Sequence, residues 1–288
     1  MWQVKNQKFQ LSLHSYTTKI KRNNIIEVYS DWEKSKDFPL LSSQKNYSDF
    51  ILLLNKNFMI ILTKAIITAM SDEAEMIIEK YSLQETKKLW ALTIYEWDIK
   101  NQDNESEHLV LLLCGVWKIH AAFATTYLFE NFDPFKIINI GVVGNLQPST
   151  IKIWDVVLPN TFLQHDVYIP ESIDSLKYLR DPIFIEYAIG EEYNLEKFSL
   201  HLHGICVTGD QFIDNEDLKN ELVEEHNADI VDMEAYAILS VAKNYDALDK
   251  MVVIKSVSDG ADNEAADAHV GNLEAAMKNA VIILELIL

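Results

Sequence analysis

Glycine is scarce in this chain, with eight residues among 288, roughly 3% against a usual ~7%. Few positions are therefore free to adopt left-handed backbone without strain. Cysteine is limited to Cys114 and Cys206. Both lie in apolar runs with no CxxC or metal-type spacing, which argues against a disulfide scaffold and reads as buried free thiols in a reducing compartment. Cationic side chains are outnumbered, 25 Lys and Arg against 44 Asp and Glu, for a formal net charge of −19. Affinity for nucleic acid comes mainly from clustered Lys and Arg, so that class of partner is disfavoured and a small ligand fits better. Long apolar runs are missing too. Residues 50–54 and 58–62 are apolar, but Asn55-Lys56-Asn57 separates them, and neither approaches the ~20 residues of a membrane-spanning helix. They also begin too late for a secretory leader, so the expected location is the cytoplasm.

What is present has a regular rhythm beyond the first fifth of the chain. Residues 1–57 show no sustained period of 3.6 or 2 and are expected to form an extension of unassigned role. Residues 58–288 are expected to form the main domain. Within it, 60–67, 109–114, 136–143, 151–158, 200–207 and 251–254 read as strands. Helical patterns follow Ser71 (expected as N-cap, with Glu75 in the first turn) and cover 119–132, 214–227, 235–242 and 273–288. Strands alternating with helices predict an α/β fold, a largely parallel sheet covered on both faces.

Two carboxylates stand out against this frame. Residues 229–233 lead Glu234 into a helical pattern, and residues 251–254 lead to Ser258, Asp259 and the turn-prone Gly260. Strand ends of α/β sheets face the crevice where ligands bind, so two acids delivered there from separate strands mark a site. A buried carboxyl that keeps its proton can serve as a general acid, and an ionised one can accept sugar hydroxyls and favour a cationic transition state.

Four segments in order carry a resemblance: Ala65-Ile-Ile-Thr-Ala-Met-Ser-Asp-Glu73, Ile138-Asn-Ile-Gly-Val-Val-Gly-Asn-Leu146, Thr208-Gly-Asp-Gln-Phe-Ile213, and Val231-Asp-Met-Glu234 with Ser258-Asp259. Together they make residues 59–288 similar to the purine nucleoside phosphorylase/uridine phosphorylase superfamily, and within it to the 5′-methylthioadenosine/S-adenosylhomocysteine nucleosidases. The resemblance implies a three-layer α/β/α fold around a mixed, largely parallel twisted sheet. It also implies a homodimer that needs neither cofactor nor metal and hydrolyses the N-ribosidic bond to release adenine. Residue by residue, it implies that Asp259 protonates adenine N7, Glu73 takes a proton from the attacking water, and Glu234 accepts both ribose hydroxyls. Phe212 would stack on adenine with Ile213 presenting backbone groups to the base edge, and Met233 and Met70 would wall the sugar pocket. Val143, Gly144 and Ser258 complete the implied binding set. The acidic Asp72-Glu73 pair disfavours an anion at the first strand, which points to water rather than phosphate as nucleophile.

Plainer readings exist for each residue. Asp259 can initiate a turn, Glu234 and Glu73 can be acids at helix starts, Phe212 can be core, and His165-Asp166 lacks a third neighbour for a metal. A phosphorylase and an inactive nucleoside-binding protein are the alternative functions. Several residues also depart from the family pattern. Val142 replaces a small, often hydroxyl-bearing residue and Lys255 replaces Arg, which loses the planar fork; His269 stands where an aromatic is common. Trp97, Trp117 and Trp154 occupy glycine positions, and a bulky indole at 117 is expected to clash. Two explanations are open. Either some of these tryptophans are glycine codons from a genetic code that reads UGA as glycine, or the protein is divergent.

Overall fold

Alternating apolar side chains explain how the sheet gains two covered faces. The computed structural model describes residues 62–100, 106–170, 172–187, 195 and 197–288; the expected extension over 1–57 lies outside them. The elements run β1 (Leu62–Thr68), α1 (Ser71–Tyr81), β2 (Gln84–Leu89), β3 (Leu92–Lys100), β4 (Ser106–Leu113), α2 (Lys118–Asn131), β5 (Pro134–Asn145), β6 (Val156–Leu158), β7 (Thr161–Gln164), β8 (Ile183–Phe184), β9 (Leu200–Leu202), β10 (Ile205–Thr208), α3 (Glu216–His226), β11 (Ile230–Asp232), α4 (Ala235–Asn244), β12 (Met251–Asp259) and α5 (Ala265–Ile287). In β1, Ala65 and Ile67 point to one face while Ile66 points to the other. In β4, Val110 and Leu112 oppose Leu109 and Leu111. The first face packs Ala121, Ala124 and Leu128 of α2 and Ala235 to Ala242 of α4. The second packs Ala74 and Ile77 of α1 and Met277, Ala280 and Leu284 of α5. This is the expected three-layer α/β/α arrangement, with period 2 in the strands serving both helix layers.

The sheet is mixed. Its order is β2-β3-β4-β1-β5-β11-β10-β7-β8, with β12 pairing β5 and β6, and β6 pairing β9. β1 runs parallel to β4 and β5, and β12 parallel to β5. β11 runs antiparallel to β5, pairing Val231 with Gly144. β5 is thus the hub: Gly144 pairs Val231 on one side and Asp259 on the other. A Cβ on Gly144 would sit 3.0 Å from Val231 and 3.1 Å from Asp259 Oδ1, so the two strands converge here because this residue has no side chain.

Several boundaries differ from those read in the sequence. Met70, not Ser71, occupies the N-cap of α1, and Asp72 and Glu73, not Glu75, are its first-turn acids. Residues 151–158 contribute only β6, because the chain turns at Trp154 with φ 73. Residues 200–207 break into β9 and β10 at His203 and Gly204, both at positive φ. β12 continues through Ser258 and Asp259, which are its last two residues rather than the turn beyond it. α5 begins at Ala265, eight residues before its apolar stripe is legible, and the β2–β3 hairpin had no counterpart in the sequence reading.

The tryptophans behave unusually. Trp117 (φ 97, ψ 146) caps α2, Trp154 lies in its turn, and Trp90 opens the two-residue β2–β3 loop at φ 47. A bulky residue at positive φ is a genuine outlier. The expected clash at 117 does not occur, since the indole is 50% exposed. Trp97 lies within β3 and is absent from the positive-φ residues, so the backbone makes no demand for glycine there.

Candidate active site

The geometry of the candidate site begins with Glu73. As third residue of α1 it turns back over the helix start, and its Oε2 accepts the Thr68 hydroxyl (2.9 Å) and the backbone N–H groups of Ala69 (3.1 Å) and Met70 (3.0 Å). Its Oε1 accepts the Val142 N–H at 2.9 Å. Gly141 makes room for this: a Cβ there would lie 2.7 Å from Glu73 Oε1. Glu73 therefore ties β1, α1 and β5 together from a buried position.

At the end of β12, Asp259 is also buried. Its Oδ1 accepts the Ala261 N–H (2.9 Å) and its Oδ2 the Ser258 hydroxyl (2.8 Å). His269 of α5 brings Nδ1 to 3.2 Å from Ser258 Oγ and 3.7 Å from Asp259 Oδ2, and its ring meets Phe212 edge-on at 5.8 Å. Phe212 is 42% exposed, so it stands at the rim and not in the core.

Glu234 follows β11 at the start of α4, where its Oε1 accepts the Trp117 N–H at 3.1 Å. Burial pushes its carboxyl up to about 8; Asp232 and Glu73 add to the rise, and Lys255 opposes it. Lys255 is buried in β12 and donates to Asp232 Oδ2 at 2.7 Å. Burial works against its charge, yet Asp232 and Glu234 hold its ammonium above the ordinary lysine value.

One pocket of about 150 Å³ gathers these groups. All ten residues singled out in the sequence line it: Met70, Glu73, Val143, Gly144, Phe212, Ile213, Met233, Glu234, Ser258 and Asp259. Val142 and His269 line it as well. Sequence reasoning missed Ala69, Val116, Gln211, Val231 and Asp232. Asp232 was in view inside Val231-Asp-Met-Glu234, but its signal, a charge two residues before Glu234 at a strand end, was read only as part of the motif. His165 and Asp166 lie elsewhere: Asp166 pairs with Lys118 at 2.5 Å and accepts the Asp210 N–H at 2.8 Å.

The family model of the phosphorylase superfamily matches residues 63–288. The chain belongs to this superfamily. Among its relatives, the 5′-methylthioadenosine/S-adenosylhomocysteine nucleosidase of Buchnera aphidicola is 30% identical over 211 residues, covering 69% of this chain and 86% of the relative. The nucleosidase of the same description from Tolumonas auensis is 30% identical over 223 residues, covering 74% and 93%. Among solved structures, the Helicobacter pylori 5′-methylthioadenosine/S-adenosylhomocysteine nucleosidase with butyl-thio-DADMe-Immucillin-A superposes with a TM-score of 0.67 at 23% identity, covering 79% of this chain and 98% of the other. The futalosine hydrolase of Helicobacter pylori superposes with a TM-score of 0.64 at 24% identity, covering 79% and 97%.

Proposed function

We propose that this superfamily member hydrolyses the N-ribosidic bond of 5′-methylthioadenosine, S-adenosylhomocysteine or both, releasing adenine. The observation that carries the reading is the lining of the pocket. Among the described residues it holds four carboxylates, Glu73, Asp232, Glu234 and Asp259, and neither lysine nor arginine. Such a lining offers phosphate no cationic partner and suits a reaction whose sugar becomes cationic, which favours water over phosphate as nucleophile.

The chemistry then divides among the acids as in glycoside hydrolysis, where acid and base flank the scissile bond. Asp259 gives a proton to adenine N7 as the C1′–N9 bond breaks and its electrons pass to the base. Glu234 accepts the ribose hydroxyls and stabilises the positive sugar. Glu73 takes the proton of the water whose oxygen bonds to C1′. Phe212 covers the base, Ile213 offers backbone groups to its edge, and Met70 and Met233 wall the sugar.

A homodimer is part of the proposal. Ile119 and Phe123, one turn apart on α2, are exposed, as are Tyr168, Tyr178 and Phe184, and large exposed apolar residues mark association surfaces. A cytoplasmic setting is supported by Cys114 and Cys206, both buried and free, and no described helix is long and apolar enough to cross a membrane. Residues 1–57 are read as an appendage to the domain of 58–288.

The deciding assay follows adenine release from methylthioadenosine with and without inorganic phosphate. Release at the same rate in both, with unphosphorylated 5-methylthioribose as the second product, is expected. Strict dependence on phosphate replaces hydrolysis with phosphorolysis, and binding without turnover marks a nucleoside-binding protein. Adenosylhomocysteine, futalosine-like nucleosides and inosine in the same assay rank the substrates.

A further inference from the structure

Among the described residues Lys255 is the cation that acts on Glu234, yet its ion pair is made elsewhere. Its Nζ is spent on Asp232 Oδ2 at 2.7 Å, with side-chain exposures of 2% and 1%. Asp232 is itself held on all sides: Oδ1 accepts the Thr208 hydroxyl at 2.6 Å, and Oδ2 accepts the Ala235 N–H at 3.0 Å. Thr208 in turn accepts the Tyr236 N–H at 3.1 Å. β10, β11, the start of α4 and β12 are thus locked around one carboxylate. Among the described residues, Glu234, two residues on, accepts from a single neutral donor, the Trp117 N–H.

We propose that Asp232 is a positioning residue for the reaction: by capturing Lys255 in a buried pair, it leaves Glu234 unpaired and free to accept the sugar diol. A carboxylate tied to an ammonium has its charge and lone pairs occupied; one kept among like charges ionises at higher pH and, once ionised, is a stronger acceptor for hydroxyls. The groups acting on Glu234 are Asp232 from β11, Lys255 from β12, Glu73 from α1 and the Trp117 N–H, with Cys206 of β10 and Cys114 of β4 close enough to feel it. With its carboxyl near 8, Glu234 is protonated in the free enzyme below that pH. The wild-type kcat/KM therefore rises as pH increases through about 8.

The inference rests on the proposed hydrolysis, and its test separates the two. In Asp232→Asn the neighbouring charge is gone and Lys255 can turn to Glu234. Both changes stabilise ionised Glu234, so the kcat/KM limb is expected to fall by roughly 1–3 pH units. Paired with Lys255, Glu234 holds the sugar less well, so KM rises more than kcat falls. The wild-type preference for a ribonucleoside over its 3′-deoxy analogue, roughly 10–100-fold for one charged hydrogen bond, shrinks severalfold. If Asp232→Asn does not fold, Lys255→Arg serves: a planar fork with five donors can serve two carboxylates at once, and the limb is expected to move the same way. An unchanged limb and an unchanged preference in a folded variant overturn the role of Asp232. Absence of any turnover in the wild-type enzyme overturns the functional reading instead.

Trp90, Trp117 and Trp154 have φ of 47, 97 and 73, and all are exposed, at 82%, 50% and 45%. Trp90 is the first of two loop residues, the only one at positive φ, in a hairpin closed by Leu89 and Leu92; that is glycine's place in a type II′ turn. Trp117 adopts a mirror-image extended conformation that is essentially glycine's alone. We infer that positions 90, 117 and 154 are glycine in the protein as its host makes it, from UGA codons read as glycine. Codon sequencing should find UGA at all three, and peptide masses of host-made protein should show glycine. UGG codons or tryptophan masses overturn the inference. In recombinant protein, Trp117→Gly should raise Tm by roughly 2–6 °C as strain is released; no rise, or a fall, counts against it.

Discussion

Asp259→Asn should lower turnover by roughly 10²–10⁴-fold, the range for removing a general acid, while nucleoside binding changes little. The substitution is nearly isosteric, so its effect can be read as chemistry. Asp259 Oδ1 is fixed by the Ala261 N–H, and an asparagine oxygen can keep that bond. The opposite face meets the Ser258 hydroxyl and, farther off, His269. An amide there can still form a hydrogen bond to the base, so affinity survives, but it has no proton to transfer. Steady-state kinetics on methylthioadenosine, with binding followed by calorimetry, separates the two. Turnover within a few fold of wild type removes Asp259 as the acid and leaves it a strand-end residue that anchors the turn at Ala261.

Glu73→Gln should fail in two ways at once. The carboxylate accepts four protein donors: the Thr68 hydroxyl and three backbone N–H groups. Glutamine offers one oxygen and one NH₂, and whichever way it turns, the NH₂ faces a backbone N–H. Leaving a buried donor unpaired costs about 1–3 kcal/mol, which lowers Tm by roughly 2–10 °C in a domain of this size. Removing the proposed general base should separately lower turnover by roughly 10²–10⁴-fold. Thermal melts and kinetics on the same preparation report the two effects. A destabilised variant with wild-type turnover makes Glu73 a helix-capping acid and no more.

The site was more legible than the fold that builds it. Glu73, Glu234 and Asp259 each sit beside a strand end, and strand ends are visible as apolar runs that stop. The pairing that unites them was not visible, because the antiparallel contact of Val231 with Gly144 joins residues far apart in sequence. Turns were misread where their marker was missing or hidden. The β2–β3 hairpin is closed by Trp90-Ala91, and the 151–158 run bends at Trp154. The hairpin loop shows none of the Gly, Asn or Asp from which turns are recognised; at the second bend the marker is Asp155, which accepts the Lys152 N–H but sits inside a largely apolar run. The polar, exposed Gln84–Leu89 strand gave no period to follow, and the solvent-facing first turns of α5 hid its start. Asp232 was overlooked because a buried charge paired with Lys255 is a property of β11 and β12 together.

The meeting of β11, β5 and β12 at Gly144 also works as a ruler. Neighbouring strands in a sheet lie about 4.8 Å apart, so Val231 and Asp259, which flank Gly144, are set two such steps from each other. Their span is fixed by the hydrogen-bond lattice rather than by loops. Changes in the rim at Phe212 or His269 leave this frame alone, because the distance between Asp259 and the strand end that leads into Glu234 is locked to the sheet.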